Sequence, residues 1–209
     1  KWGRYNVEIK DDIGKVLFIQ SDSEYPEFFS QNARSVVASR YSYGEINTSE
    51  RETSLRNIID RVAETYGEQS LEKNYFDKET AKIFSDELKE LTLRQHFAFN
   101  SPVWFNVGTH RYESRKSSQK SDGYHIENGV AVLNQIGRSH LFPQTSACFI
   151  QHVDDTMEDI MFLATKEAML FKYGSGTGTD LSTLRSSREK LSGGGKPSGP
   201  LAYLTFYDK

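Results

Sequence analysis

The sequence predicts a mixed α/β chain, and three observations carry that expectation. Val7 and Ile9 alternate with polar residues ahead of a short apolar run, Val16 to Ile19, which reads as a pair of strands. Three later stretches repeat apolar residues at helical spacing. Between the second and third of these, Cys148, Phe149 and Ile150 form a strand-like run that follows small residues.

In chain order, Asp11-Asp12-Ile13-Gly14 is a turn signal, so the first two strands are expected as a hairpin ended by Pro26. Leu55, Ile58, Ile59, Val62 and Tyr66 mark a first helix, with Thr48 or Ser49 as candidate caps and Gly67 as its stop. A second helix is expected from about Asp77 to Phe97, with Ile83, Phe84, Leu88, Leu91 and Leu93 on its buried side. Asn100 to Asn106 reads as a loop that caps this helix and enters a strand. From His110 to Asn128 the chain turns polar, with Arg111, Arg115, Lys116 and Lys120 among Ser and Tyr. A solvated insertion is the simpler reading there than a phosphate-touching loop, because nothing in the spacing fixes its geometry.

The third helix has the clearest start. Thr156-Met157-Glu158-Asp159 fits the capping-box pattern, Met157, Ile160, Met161, Ala164, Ala168 and Phe171 mark one face, and Gly174 stands where a helix usually stops. Gly193 to Pro200 reads as a flexible or functional loop, and Leu201 to Phe206 opens a further apolar element. An apolar element so near the last residue suggests one part of a larger fold.

Composition narrows the function classes. A chain of 209 residues suits one medium domain or two small ones, and 13 Phe with 11 Tyr are too many for a disordered chain. Lys plus Arg number 26 against 29 Asp plus Glu, a formal charge of -3, which excludes a globally basic nucleic-acid coat. No window approaches the roughly 18 apolar residues of a membrane span, and Lys1 to Tyr5 contains no apolar signal core. Neither a nucleic-acid nor a membrane partner is therefore expected, and the profile is cytoplasmic. Cys148 is the single cysteine, so no intrachain disulfide and no paired-cysteine zinc site can form. His96, His110, His125, His140 and His152 show no metal-ligand spacing, and no metal site is expected.

Three segments could carry chemistry. Gly174 to Thr179 follows a helix, lacks the Gly-Lys-Ser/Thr of a P-loop, and misplaces the third glycine of a dinucleotide fingerprint; its glycines would still let backbone approach a ligand closely. Ser101, in Asn100-Ser101-Pro102-Val103-Trp104-Phe105-Asn106, could donate to a phosphate or sugar, against the plainer reading of a helix-capping loop. Cys148 alone reads more readily as inert packing than as chemistry, since no local motif ties a histidine or carboxylate to it.

Together these segments resemble the large catalytic protein of class II, adenosylcobalamin (vitamin B12)-dependent ribonucleotide reductase. The resemblance runs through Pro26 to Ala33, Val36 to Tyr41, Glu50-Arg51-Glu52 with Ser54-Leu55-Arg56, and Asn100 to Asn106. Its most specific parts are Ser146-Ala147-Cys148-Phe149-Ile150 and the run from Phe171 to Gly195. It implies an N-terminal hairpin and helical region over 1–98, then the first part of a ten-stranded α/β barrel over 99–209, incomplete in this chain. It also implies that Cys148 is half of the reducing cysteine pair, buried among small residues so that ribose lies close against its strand. Ser101, Ala147, Cys148 and Gly176 would contact the substrate. Asp155, Thr156 and Arg185 would contact an allosteric effector, with Ser186 to Gly199 as a flexible specificity loop.

The same resemblance implies what lies elsewhere. The radical-carrying cysteine of an Asn-x-Cys-x-Glu motif, the partner of Cys148 and most adenosylcobalamin contacts fall outside this sequence. The partners it implies are the C-terminal half of the same enzyme, a ribonucleotide substrate, a deoxynucleotide or ATP effector, a thioredoxin-like reductant and a second copy in a dimer. The chain alone would be inactive. A reading from another class is a non-catalytic nucleotide-binding or regulatory module of the same ancestry.

Overall fold

The computed structural model describes residues 1–112, 124–133, 141–172 and 174–207. It divides into two units, Lys1–Thr145 and Ser146–Lys209.

The first unit begins with the expected hairpin. Strands β1 (Trp2–Lys10) and β2 (Val16–Pro26) pair antiparallel, and Asp11 closes the turn by accepting from the backbone of Ile13 and Lys15. Helix α1 (Gln31–Val36) runs into a π-helical turn, Val37–Tyr41. Val7, Tyr25 and Phe29 pack on Ala38, Leu55 and Ile59, so the hairpin is a lid on helix α2 (Leu55–Glu72).

Helix α2 differs from the sequence expectation at both ends. Its cap is Ser54, whose Oγ accepts from Arg56 N while its own N–H donates to Asn57 Oδ1, a reciprocal pair that Thr48 and Ser49 do not make. The helix also runs through Gly67 instead of stopping there. A Cβ at Gly67 would stand 3.2 Å from Ser85 Cβ, so this glycine lets α3 (Lys78–Leu93) approach closely. Helix α3 starts where the sequence suggests, with Asp77 as its cap, but ends short of Phe97. Ala81 and Ser85 are its buried residues, whereas Ile83 and Leu91 are exposed.

Asn100 to Asn106 does not enter a strand. Asn100 is the cap of a helix, α4 (Ser101–Asn106), with Pro102 in its first turn, where a missing N–H costs nothing. Val103 and Val107 pack on Val62. A short 3₁₀ turn, Thr109–Arg111, follows. Part of the polar stretch beyond it is a second hairpin, β3 (Tyr124–Glu127) with β4 (Val130–Leu133). Arg111 bridges Glu64 and Glu68 on α2, while Arg115, Lys116 and Lys120 lie outside the described residues.

The second unit is built on a β-α-β crossover. Strand β5 (Cys148–His152) leads into helix α5 (Met157–Lys172), which returns the chain to β6 (Gly176–Asp180), parallel to β5. The glycine-rich run from Gly176 on is therefore a strand: its backbone groups pair with β5, which outweighs the poor strand propensity of glycine. Gly174, with φ at +80°, makes the stop that the sequence suggests. The buried face of α5 is Ile160, Leu163 and Glu167, while Met157, Met161 and Phe171 are exposed. Leu201 to Phe206 falls in a final helix, α6 (Pro200–Tyr207), whose Tyr203 and Tyr207 pack on the Val153, Ile160, Leu163 and Leu184 core. Among the described residues there are three two-stranded sheets and no closed barrel.

Candidate functional site

In the parallel pair, Cys148 is the register partner of Gly176, Phe149 of Thr177, Ile150 of Gly178 and Gln151 of Thr179. Side chains alternate along a strand, so Cys148 and Ile150 share one face with the two glycines, and Thr177 and Thr179 occupy the other. The buried Glu167 of α5 accepts hydrogen bonds from Thr177 Oγ1 at 2.8 Å and Thr179 Oγ1 at 3.0 Å. The threonine face is thus the one the helix covers, and Cys148 stands on the opposite, open face.

That face is bare around the thiol. A Cβ added at Gly176 would meet nothing nearer than Ala147 O at 3.8 Å. Gly176 N donates to Ala147 O at 2.7 Å, so Ala147, Cys148 and Gly176 form one continuous floor. Among the described residues the side chain of Cys148 is exposed, and Ile150 on the same face is 87% exposed. Within the second unit no described element lies on the face opposite α5. The arrangement sets an exposed thiol beside a glycine that leaves open space above the strand.

Asp155, Thr156 and Arg185 come together in a second place. They line a cleft of about 260 Å³ with Lys196, Ser198 and Tyr203. Arg185 Nε donates to Asp155 Oδ2 at 2.5 Å, and the adjacent Leu184 is buried in the core, which fixes the arginine's base. Thr156 Oγ1 accepts from Asp159 N at 3.2 Å as its motif suggests, but the Asp159 carboxylate turns to Asp154 N at 2.8 Å. Half of the capping box is therefore redirected to hold the Asp154–Asp155 segment. Two cations against one carboxylate leave the cleft net positive, suited to phosphate oxygens. Lys196 was not singled out from sequence; its one signal is a lone basic side chain within the Gly193–Gly199 run.

Ser101 stands in the first unit, where its hydroxyl lies 3.1 Å from the Tyr41 hydroxyl. The ring of Tyr41 stacks on Phe105 with centroids 5.2 Å apart. Both segments are anchored by two consecutive residues. Arg51 Nη1 donates to the carbonyls of Ser42 and Gly44, each at 2.8 Å, and its Nη2 to that of Ala38, which holds the turn carrying Tyr41. Glu52, only 2% exposed, accepts from Arg61 Nε at 2.7 Å, from Tyr43 N at 2.7 Å and from the Tyr112 hydroxyl at 2.8 Å. Burial, then the Glu52 charge, pushes the Tyr112 phenol well above its ordinary range. Arg61 Nη2 in turn donates to Trp104 O at 3.0 Å and its Nη1 to Val107 O, which fixes the end of α4. Gly108, at φ +76°, must be glycine here, since a Cβ would fall 2.5 Å from Arg61 Cγ. Glu50-Arg51-Glu52 stands out in the sequence, but nothing local reveals this network.

No group of three or more His, Cys, Asp or Glu is placed to hold a metal ion among the described residues. Nor is any described helix long and apolar enough to cross a membrane. The apolar cleft in the first unit, about 420 Å³ and lined by Phe29, Phe99 and Trp104 among others, and the 260 Å³ cleft of the second are both too small to enclose a corrin with its nucleotide tail.

Comparison with known proteins places this geometry in context. Residues 146–209 match the family model "Ribonucleotide reductase, barrel domain", which begins where the second unit begins, and residues 44–95 match "Class II vitamin B12-dependent ribonucleotide reductase". The chain is 52% identical over 209 residues to a vitamin B12-dependent ribonucleotide reductase of Rhodopirellula baltica, covering 99% of the chain and 20% of that protein. It is 40% identical over 210 residues to one of Streptomyces avermitilis, covering 100% of the chain and 19% of the relative. A vitamin B12-dependent ribonucleoside-diphosphate reductase of Thermoplasma acidophilum is 26% identical over 204 residues, 96% of the chain and 24% of the relative. The chain thus spans about a fifth of the length of the curated relatives it matches.

Proposed function

Because the chain belongs to the class II vitamin B12-dependent ribonucleotide reductase family, we propose that it supplies the reducing thiol and the effector cleft of an enzyme that converts ribonucleotides to deoxyribonucleotides. The observation that carries this reading is Cys148 on the open face of β5, beside a glycine floor that leaves room for a ribose.

The chemistry assigned to Cys148 balances with one partner. The C2′–OH bond of the ribose breaks and the hydroxyl leaves as water, while a C2′–H bond forms. Cys148 and a second thiol together give up two electrons and two hydrogens and become a disulfide. With one cysteine in the sequence, that second sulfur belongs outside it, as does the cysteine radical that would abstract the 3′-hydrogen. Ser101 is assigned to the substrate, with Ala147 and Gly176 presenting backbone to it. The cofactor's contacts are assigned largely to the part of the enzyme outside this sequence.

Asp155, Thr156 and Arg185 are assigned to a nucleotide effector, with Lys196 as a further phosphate contact. The remainder of the barrel, a second copy in a dimer and a dithiol reductant of thioredoxin type are the partners this reading requires. The test is Cys148→Ser in the complete enzyme. Serine is nearly the same size but cannot share a disulfide, so folding should be unchanged and multiple turnover lost; normal multiple turnover would make Cys148 a packing residue.

A further inference from the structure

We propose that Tyr41 is a positioning residue for the ribonucleotide site, acting through the hydroxyl of Ser101. The inference rests on the assignment of Ser101 to the substrate and adds a residue to it. Tyr41 engages α4 twice: its hydroxyl lies 3.1 Å from Ser101 Oγ, and its ring stacks on Phe105, four residues further along the same face of the helix.

The two hydroxyls are held in place by the backbone that bears them. Tyr41 ends a π-helical turn closed by Ser42 N donating to Val37 O at 3.1 Å, and Arg51 pins the carbonyls of Ala38, Ser42 and Gly44 around it. The neighbouring Glu52 holds Arg61, which grips the carbonyls of Trp104 and Val107 at the far end of α4. One buried charged pair therefore sets the distance between the Tyr41 turn and the Ser101 helix. The Tyr41 hydroxyl is not needed to dock α4, because Arg61 and the Phe105 stack already do so.

What the hydroxyl can do is fix a proton. A serine hydroxyl carries one proton and rotates to suit its surroundings. A phenol is the stronger acid of the two and the better donor, so Tyr41 donates to Ser101 Oγ. The Ser101 proton is then left to point outward, toward an acceptor oxygen of a nucleotide phosphate or ribose. Without Tyr41 the serine rotor must be ordered by the ligand alone, and binding loses the benefit of one preformed hydrogen bond.

The test is binding of cytidine diphosphate and cytidine triphosphate to the complete reductase by titration calorimetry, for wild type, Tyr41→Phe, Ser101→Ala, Ser101→Thr and the double variants. Thermal unfolding of each is followed in parallel. Phenylalanine keeps the ring on Phe105, so the unfolding midpoint should hardly move. Tyr41→Phe should weaken binding roughly threefold to tenfold, the worth of one ordinary hydrogen bond. That loss should persist in the Ser101→Thr background and vanish in the Ser101→Ala background, a coupling that a merely structural tyrosine would not give. If Tyr41→Phe binds like wild type while Ser101→Ala weakens binding, or if its loss adds in full to that of Ser101→Ala, the role of Tyr41 is overturned and that of Ser101 stands. If Ser101→Ala binds like wild type, the assignment of Ser101 itself fails.

Discussion

Cys148 and Gly176 are register partners across the parallel strands β5 and β6, on the face turned away from helix α5. The thiol therefore has a neighbour with no side chain, and at Gly176 and Gly178 the strand beside it presents only backbone on that face. Substituting Gly176 should separate fold from function. Its φ does not lie in the left-handed region, and an added Cβ meets nothing nearer than 3.8 Å, so Gly176→Val should fold. The branched side chain would occupy the space above Ala147, and the account expects at least a tenfold rise in the KM for ribonucleotide in the complete enzyme. An unchanged KM would mean that ribose does not lie on this face.

The Arg61–Glu52 pair predicts a stability effect. Both side chains are almost fully buried, at 2% and 1% exposure, and each leaves an unpaired charge when the other is removed. Arg61→Met should cost about 3–5 kcal/mol in urea unfolding. It should also loosen α4, seen as faster hydrogen exchange at Val103 and Val107. A cost below about 1 kcal/mol would show that solvent already reaches the pair.

Burial pushes the Tyr25 phenol up from 10.0 to about 12. Below pH 10 the folded and unfolded chains both keep the proton, and the contribution of Tyr25 to stability is fully present. Between about pH 10 and 12 only the unfolded chain loses it, so stability falls as pH rises, by about 3 kcal/mol across that window. Tyr112 acts in the same direction. Urea unfolding at pH 9 and pH 11 should show a smaller alkaline loss for Tyr25→Phe than for wild type; equal losses would contradict the assignment.

Arg185→Ala should act on effector response. A charge-assisted contact to phosphate is worth roughly 1.5–3 kcal/mol, so effector affinity should fall about tenfold to a hundredfold. The check is reductase activity across four ribonucleotide substrates, with and without deoxynucleotide effectors. An unchanged effector concentration dependence would remove Arg185 from the cleft's function, and loss of basal rate with effector affinity intact would move it to the substrate site or to folding.

How far the sequence could be read depended on how local the cause was. The first hairpin was legible because Asp11 to Gly14 carries its own turn chemistry, and α5 because Thr156 and Asp159 announce a helix start. The cap of α2 was missed because Thr48, Ser49, Thr53 and Ser54 are equally able caps, and only Ser54 finds Asn57 in reach. Helix α4 was missed because Pro102 reads as a breaker, although in a first turn it favours a helix. Strand β6 was hidden by its glycines, since its stability comes from pairing with β5 across 28 residues. The Arg51, Glu52 and Arg61 network joins positions up to 60 residues apart, and no window of sequence contains it. For the site, Asp155, Thr156 and Arg185 gather through a contact that spans 30 residues, and what covers the face bearing Cys148 depends on the layers around β5 and is not written in its neighbours.

The most direct test is where the sulfur of Cys148 goes in a single turnover. The complete reductase, reduced and then freed of external dithiol, is given one equivalent of ribonucleotide, quenched in alkylating agent and digested. The account predicts that, as one deoxyribonucleotide forms, the peptide carrying Cys148 escapes alkylation and is found in a disulfide with a cysteine outside residues 1–209. Deoxyribonucleotide formed in the same yield with Cys148 still a free, alkylated thiol would contradict it.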